Sequence, residues 1–150
     1  MKAYDNLALC FDALGKQDDA IQTYQKALLL NRGASAPSPW PALNLGTLLS
    51  RLGRLPEAEQ YLKESLECDS KLPQTHYQRG VVLEKQEKDQ EAIAALLKAA
   101  LLDPAYAEPY YVLGRIYRRA GEIQKAEEAF SRFQSLKKKK RSGTDTDPQQ

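Results

Sequence analysis

The stretch ALNLGTLLSRLGRLPEAEQYLKESL, residues 42–66, decides the fold. It holds a small residue, Gly46, and a second one, Ala58, 12 positions later, with a turn pair, Gly53-Arg54, between them. Three other stretches share this frame: YDNLALCFDALGKQDDAIQTYQKAL from Tyr4, HYQRGVVLEKQEKDQEAIAALLKAA from His76 and YYVLGRIYRRAGEIQKAEEAFSRFQ from Tyr110. Their first small residues are Ala8, Gly80 and Gly114, and Ala20, Ala92 and Ala126 each follow after 12 positions. Ala8, Gly46, Gly80 and Gly114 are separated by 38, 34 and 34 residues. A fixed period of this length is the mark of a stacked-repeat architecture.

Within each repeat the apolar spacing is helical, as in Tyr4, Leu7, Ala8, Phe11 and Leu14, followed by Ala20, Tyr24, Ala27 and Leu28. Gly15-Lys16, Gly53-Arg54 and Gly121-Glu122 interrupt three of the patterns, and Lys88-Asp89 marks the turn of the third. Each repeat therefore reads as two antiparallel helices joined by a tight turn. The small residue of the first helix is expected to meet that of the second, with Phe11, Leu49, Leu83 and Tyr117 filling the space beside the crossing.

These residues resemble the tetratricopeptide repeat, a 34-residue helix-turn-helix unit. The resemblance implies an all-α, right-handed superhelical α-solenoid of four repeats and eight helices. Its frame places repeats at 1–34, 39–72, 73–106 and 107–140, a Pro/Ser insertion at 35–38 and a disordered polar tail at 141–150. His76 and Arg79 depart from the bulky and aliphatic residues expected at their positions, so the first helix of the third repeat should be the loosest. Phe133 stands where earlier repeats carry Ala27, Ser65 and Ala99, which argues against a fifth repeat. At the other end Ala3, Cys10 and Leu14 should lie on an uncovered stacking face. Either the chain is cut from a longer array or that face pairs with another molecule.

Composition excludes several functions. Apolar residues make up 42%, enough for a core, and 22 Lys and Arg nearly balance 20 Asp and Glu. That balance argues against specific nucleic-acid binding. One histidine and two cysteines leave no metal site, disulfide framework or catalytic dyad. His76 reads as a packed or half-exposed side chain, and Cys10 and Cys68 as buried small hydrophobes. No phosphate loop or nucleophile motif occurs, so neither an enzyme nor a bound cofactor is expected. No stretch approaches the roughly 20 apolar residues of a membrane helix, and no signal peptide is evident, so membrane insertion is not expected and a cytoplasmic location is. The basic run Lys137–Arg141 reads either as cations set against the negative pole of the last helix or as a patch for an anionic surface.

What remains is a binding surface. The resemblance implies that the first helices line a concave groove, presenting Asp5, Asn6 and Asp12, then Trp40, Leu43, Asn44, Thr47, Ser50 and Arg51. Tyr77, Gln78, Glu84 and Lys85 follow in the third repeat, and Tyr111, Val112, Arg115, Arg118 and Arg119 in the fourth. Asn6, Asn44 and Gln78 form a row of amides able to hydrogen-bond the main chain of an extended peptide, or simply to keep the surface wet. The row is loosely similar to the asparagine ladder of O-linked N-acetylglucosamine transferases, although Val112 breaks it. Arg115, Arg118 and Arg119, at helical spacing and near Tyr77 and Tyr111, suit a ligand carrying carboxylates or phosphates. Trp40 is either a peptide anchor or a packing residue over the insertion. Of the family's carboxylate clamp for chaperone tails only Asn44 matches, so that ligand is not expected.

The sequence thus points to a non-catalytic scaffold that binds an extended or helical segment of a protein partner. Two alternatives stand beside it: a substrate-recruiting arm of a larger enzyme such as a glycosyltransferase, and a structural module that self-associates through its uncapped N-terminal helix.

Overall fold

Four backbone residues in the left-handed region set the hairpins. Gly15, Gly53 and Gly121 have φ of 75°, 78° and 78°, and at the matching place in the third repeat stands Glu87, with φ 61°. After each, the next amide closes back on the preceding helix: Lys16 on Phe11 O at 2.8 Å, and Arg54, Lys88 and Glu122 on Leu49, Leu83 and Tyr117 O at 2.9 Å. This is the capping geometry for which glycine is best suited. The third turn therefore pivots on Glu87, one residue before the Lys88-Asp89 pair read from sequence, and an L side chain bears the left-handed conformation there.

The computed structural model describes residues 2–144. Among them the helices run α1 Lys2–Ala13, α2 Gln17–Arg32, α3 Trp40–Arg51, α4 Leu55–Cys68, α5 Pro73–Lys85, α6 Asp89–Leu102, α7 Glu108–Arg119 and α8 Ile123–Thr144. The chain is an all-α repeat solenoid with no strand among the described residues. It divides into two compact units, with the division between Gln78 and Arg79 inside α5. This is also the helix whose His76 and Arg79 leave the repeat pattern. Of the expected tail at 141–150, residues 141–144 continue α8 and the rest lie outside the described residues.

In the first unit α1 packs on α2, α3 on α4, and α2 on α3. Tyr24, Leu28, Leu45, Leu48, Leu49 and Leu62 are almost fully buried. At the α3–α4 crossing a Cβ added to Gly46 would lie 3.0 Å from Leu62 and 3.2 Å from the Ala58 carbonyl. The small residue of the first helix thus faces the backbone at the small residue of the second, but its nearest neighbour is the large side chain four positions further on. In the second unit the same contact is tighter: a Cβ on Gly80 would fall 2.7 Å from Leu96, and on Gly114 2.6 Å from the Phe130 ring. Helix axes can approach this closely only where the facing side chain is missing.

The insertion is fastened by a residue the sequence did not single out. Asn31, 1% exposed, donates through Nδ2 to the Ser38 carbonyl and accepts the Ser38 amide at Oδ1, both at 2.8 Å. One buried side-chain amide thereby satisfies both backbone groups of a loop residue. Ser65 occupies a position held by Ala27 and Ala99 in other repeats because its hydroxyl bonds that of Thr75 at 2.9 Å, with both side chains buried. His76 is half-buried, its Nε2 2.8 Å from the Ser70 carbonyl oxygen.

On α1 and just past its end, Ala3, Leu7, Cys10 and Leu14 are exposed, Leu14 to 71%. Cys10 is therefore not the buried hydrophobe that was expected, because it lies on the face of α1 turned away from α2. Cys68 is half-buried, and burial, with Glu64 and Glu67 nearby, pushes its thiol above the ordinary range. At the other end Phe133 folds back against Tyr111, with ring centroids 5.3 Å apart.

Candidate functional site

The first helices differ in how much of them is open: α1 is largely exposed, α3 leaves Trp40 and Arg51 exposed, α5 only Lys85, and α7 Tyr111, Arg118 and Arg119. In the first unit Asn6 on α1 is exposed, Asn44 on α3 and Tyr77 and Gln78 on α5 are half-buried, and Trp40 at the start of α3 remains 44% exposed. The three amides thus belong to one compact unit. Trp40 begins α3 with its backbone amide 3.3 Å from Ser38 Oγ, and Pro41 follows at a position suited to a helix start. Leu43 and Ser50, read as groove residues, are instead buried at 3% and 2%. They lie on the flank of α3 that packs against neighbouring helices.

Charge in this unit is paired internally. Arg51 on α3 bonds Asp12 on α1, and Arg32 on α2 forms a two-pronged pair with Glu64 on α4, both hydrogen bonds at 2.8 Å. Asp5 has a buried Oδ1 without a hydrogen-bond partner, and burial raises its pKa. Burial also pushes the Tyr24 phenol up to about 12, with the charges of Asp12 and Asp5 adding to the effect.

In the second unit the three arginines of α7 do not act as one cluster. Arg115 donates to Glu84 of α5 at 2.5 Å and its guanidinium lies 5.6 Å from the Tyr111 ring centroid. Arg119 reaches Glu84 at 3.7 Å and Asp89 at 2.6 Å. Arg118 turns the other way, its guanidinium 5.5 Å from the Phe130 ring of α8. A 3- and 4-residue spacing puts side chains on neighbouring rows of a helix, and long side chains on neighbouring rows can diverge to different partners. Val112, a predicted groove residue, is buried at 3%, whereas Tyr111 stays 44% exposed.

The residue that sequence reasoning undervalued is Glu84, only 7% exposed. As the hydrogen-bond acceptor of Arg115 and an ion-pair partner of Arg119 it neutralises much of the positive face that the sequence suggested. A signal existed: Asp12 and Glu84 fill the same place in their repeats, as do Arg51 and Arg119 in the repeats that follow, so the pairs Asp12–Arg51 and Glu84–Arg119 recur at related positions. Lower on α7, Glu108 bonds Lys137 of the basic run at 2.5 Å. Partial burial pushes the Glu108 carboxyl up, but Lys137 and a backbone hydrogen bond outweigh it and hold the pKa below the usual range.

Among the described residues no group of three or more His, Cys, Asp or Glu side chains is placed to hold a metal ion. Nor is any helix there long and apolar enough to cross a membrane. The open faces offer amides, aromatic rings and paired charges, a set suited to adhesion.

Comparison with known proteins agrees with the repeat geometry. Models described as tetratricopeptide repeat match residues 2–33, 42–68 and 77–140. The general transcriptional corepressor ssn6 of Schizosaccharomyces pombe (strain 972 / ATCC 24843) is 33% identical over 127 residues, which cover 83% of this chain and 11% of the corepressor. The chain thus spans about a tenth of the length of that curated relative. Among solved structures, a MamA protein superposes with a TM-score of 0.75 at 29% identity, covering 91% of this chain and 72% of that one. A chain of the APC/C hetero-tetramer Cut9-Hcn1 superposes with a TM-score of 0.79 at 28% identity, covering 89% of this chain and 26% of that one. With its hairpins, close crossings and repeat frame in agreement, this chain belongs to the tetratricopeptide-repeat family.

Proposed function

We propose that this protein is a non-catalytic interaction scaffold that holds an extended or helical segment of a protein partner on the exposed sides of its first helices. The observation that carries the reading is the exposure of Trp40 and Tyr111, each 44%, on helices whose other large apolar side chains are buried or half-buried. Rings left open on helices packed within their own units present contact area at little entropic cost, and aromatic side chains are common anchors of bound partners. Asn6, Asn44, Tyr77 and Gln78 supply hydrogen-bonding groups in the first unit, and Arg115, Arg118 and Arg119 supply cations in the second. Because Glu84 and Asp89 already engage two of these arginines, Arg118 is the better candidate for an acidic ligand group. The likeness to a corepressor and to a chain of a multi-subunit assembly supports a protein partner.

The test is selection from a library of random peptides on the immobilised chain. Peptides that bind should lose at least tenfold in affinity on Trp40→Ala with Asn44→Ala, or on Tyr111→Ala with Arg118→Ala, while the far-ultraviolet circular dichroism stays unchanged. Failure to enrich any peptide, or binding indifferent to both pairs, overturns the reading. The amide row of Asn6, Asn44 and Gln78 within one unit favours a second reading, in which the same surface recruits substrates for an enzyme carried elsewhere in a longer protein.

A further inference from the structure

The outward side of α6 breaks a rule kept by the equivalent helices. At the places of Ala94, Leu97 and Leu101, α4 has Gln60, Lys63 and Glu67, α8 has Glu128, Ser131 and Ser135, and α2 has Gln22, Gln25 and Leu29. All of these positions are exposed in their respective helices. Intrahelix and interhelix packing therefore makes no demand on them, and three of the four helices use polar residues at most or all of them. In α6 Leu97 is 48% and Leu101 74% exposed, with Ala94 open beside them. The opposite side of α6 supplies the core, with Ala92, Leu96 and Ala99 at 0% exposure. α6 is thus apolar on its inner side and along an outer stripe.

We propose that this stripe is a homotypic docking surface, on which α6 of a second copy of this chain packs antiparallel about a two-fold axis. Gln90, Ala94, Leu97 and Leu101 are spaced 4, 3 and 4 residues apart, the repeat of a coiled-coil seam. In the antiparallel arrangement Ala94 sits opposite Leu97 of the second copy and Leu101 opposite Gln90, so that each large side chain meets a smaller or flexible one.

Charge selects this occupant. Glu91 and Lys98 are both exposed, seven residues apart, along the same flank of the stripe. A two-fold axis perpendicular to the helices keeps that flank facing its own copy and reverses its direction. Glu91 of each copy then approaches Lys98 of the other, offset by about 3 Å along the axis at 1.5 Å per residue. The pair forms twice, as an isologous contact requires. Parallel pairing of the two helices would instead turn that flank toward the partner's opposite flank, at Ile93 and Ala100, and leave Glu91 and Lys98 without a counter-charge. One 14-residue helix offers a small contact, so the dimer is of the weak, transient class.

Sedimentation equilibrium of the full chain across a concentration series from micromolar to millimolar tests this. The wild-type chain should show reversible dimerisation, and Leu97→Glu with Leu101→Glu should weaken it at least tenfold. Glu91→Lys alone and Lys98→Glu alone should each weaken it severalfold, while the double exchange Glu91→Lys/Lys98→Glu restores it. All these changes are at exposed positions, so circular dichroism should remain that of the wild type. A monomer throughout the range overturns the proposal. So does a dimer that the charge exchange leaves untouched, or one lost on Leu7→Glu with Leu14→Glu, in and just after α1, and not on the α6 changes.

Discussion

The two compact units are built from the same hairpin, yet they relieve the same crowding differently. In the first, a Cβ on Gly46 would lie 3.0 Å from Leu62, and the α1–α2 hairpin has the fully buried Ala8 in the equivalent place, so one of the two small residues keeps its methyl group. In the second, Gly80 and Gly114 press on Leu96 and the Phe130 ring at distances where no real Cβ fits. Their polar devices differ as well. The first unit pairs charges one to one and buries Asn31 to hold its insertion, whereas the second gathers two arginines on one buried carboxylate. A shared repeat frame therefore fixes where helices cross without fixing how much tolerance each crossing has.

That contrast is sharpest under a single added methyl group. Gly114→Ala should destabilise the chain by about 2–3 kcal/mol, as overpacking a close crossing does. Gly46→Ala should stay within about 1 kcal/mol of wild type, since alanine's helix propensity offsets a milder clash. Equilibrium denaturation of both variants checks the difference, and equal losses would erase the distinction between the units.

Alkaline titration should single out the first unit. The Tyr24 phenol is held neutral, with its pKa raised from 10.0 to about 12, so the unfolded chain releases this proton first as the pH rises. The stability this provides is present below about pH 10 and is lost between about pH 10 and 12. Its size is on the order of 2 kcal/mol. Denaturation at a series of alkaline pH values should show a steeper decline for wild type than for Tyr24→Phe.

Asn31→Ala should cost about 2 kcal/mol, because it leaves both backbone groups of Ser38 without their partners. Hydrogen exchange should show the loss of protection at Ser38. Glu87→Gly should stabilise the chain by about 1 kcal/mol, since it removes an L side chain from the left-handed region. A rise in thermal midpoint checks it, and the same change cannot help the other three turns, where glycine already stands.

Smallest of all should be the loss of the Arg51–Asp12 pair. Arg51 is more than half exposed, and surface pairs of this kind contribute between 0 and about 1 kcal/mol. Arg51→Ala should therefore leave denaturation nearly unchanged and should lose what effect it has at high salt.

Much of the fold was legible in the chain because its determinants are local and periodic. Ala8, Gly46, Gly80 and Gly114 announced the crossings, and three glycines announced the turns. The third turn was misplaced by one residue because Glu87 carries no glycine signal. The candidate site was less legible. Helical spacing placed Arg115, Arg118 and Arg119 together, but spacing does not say which way a long flexible side chain turns. Leu43 and Val112 were read as groove residues because the resemblance assigns a whole face of the first helix to the groove, whereas burial at the edge of that face depends on the neighbouring helices. Asn31 gave no signal because its partner, Ser38, lies in a loop whose path only folding defines.

The order of helices, the repeat frame, the close approaches and the shortage of reactive groups were all determined by the amino-acid sequence. Each follows from steric size or composition, which act over a few neighbouring residues. The tertiary structure alone decided that Arg118 turns away from the two arginines held by Glu84, that Leu43 and Val112 are buried, and that α6 keeps leucines on its outer side. Those outcomes depend on groups brought together from distant parts of the chain, and on which side of each helix its neighbours leave uncovered.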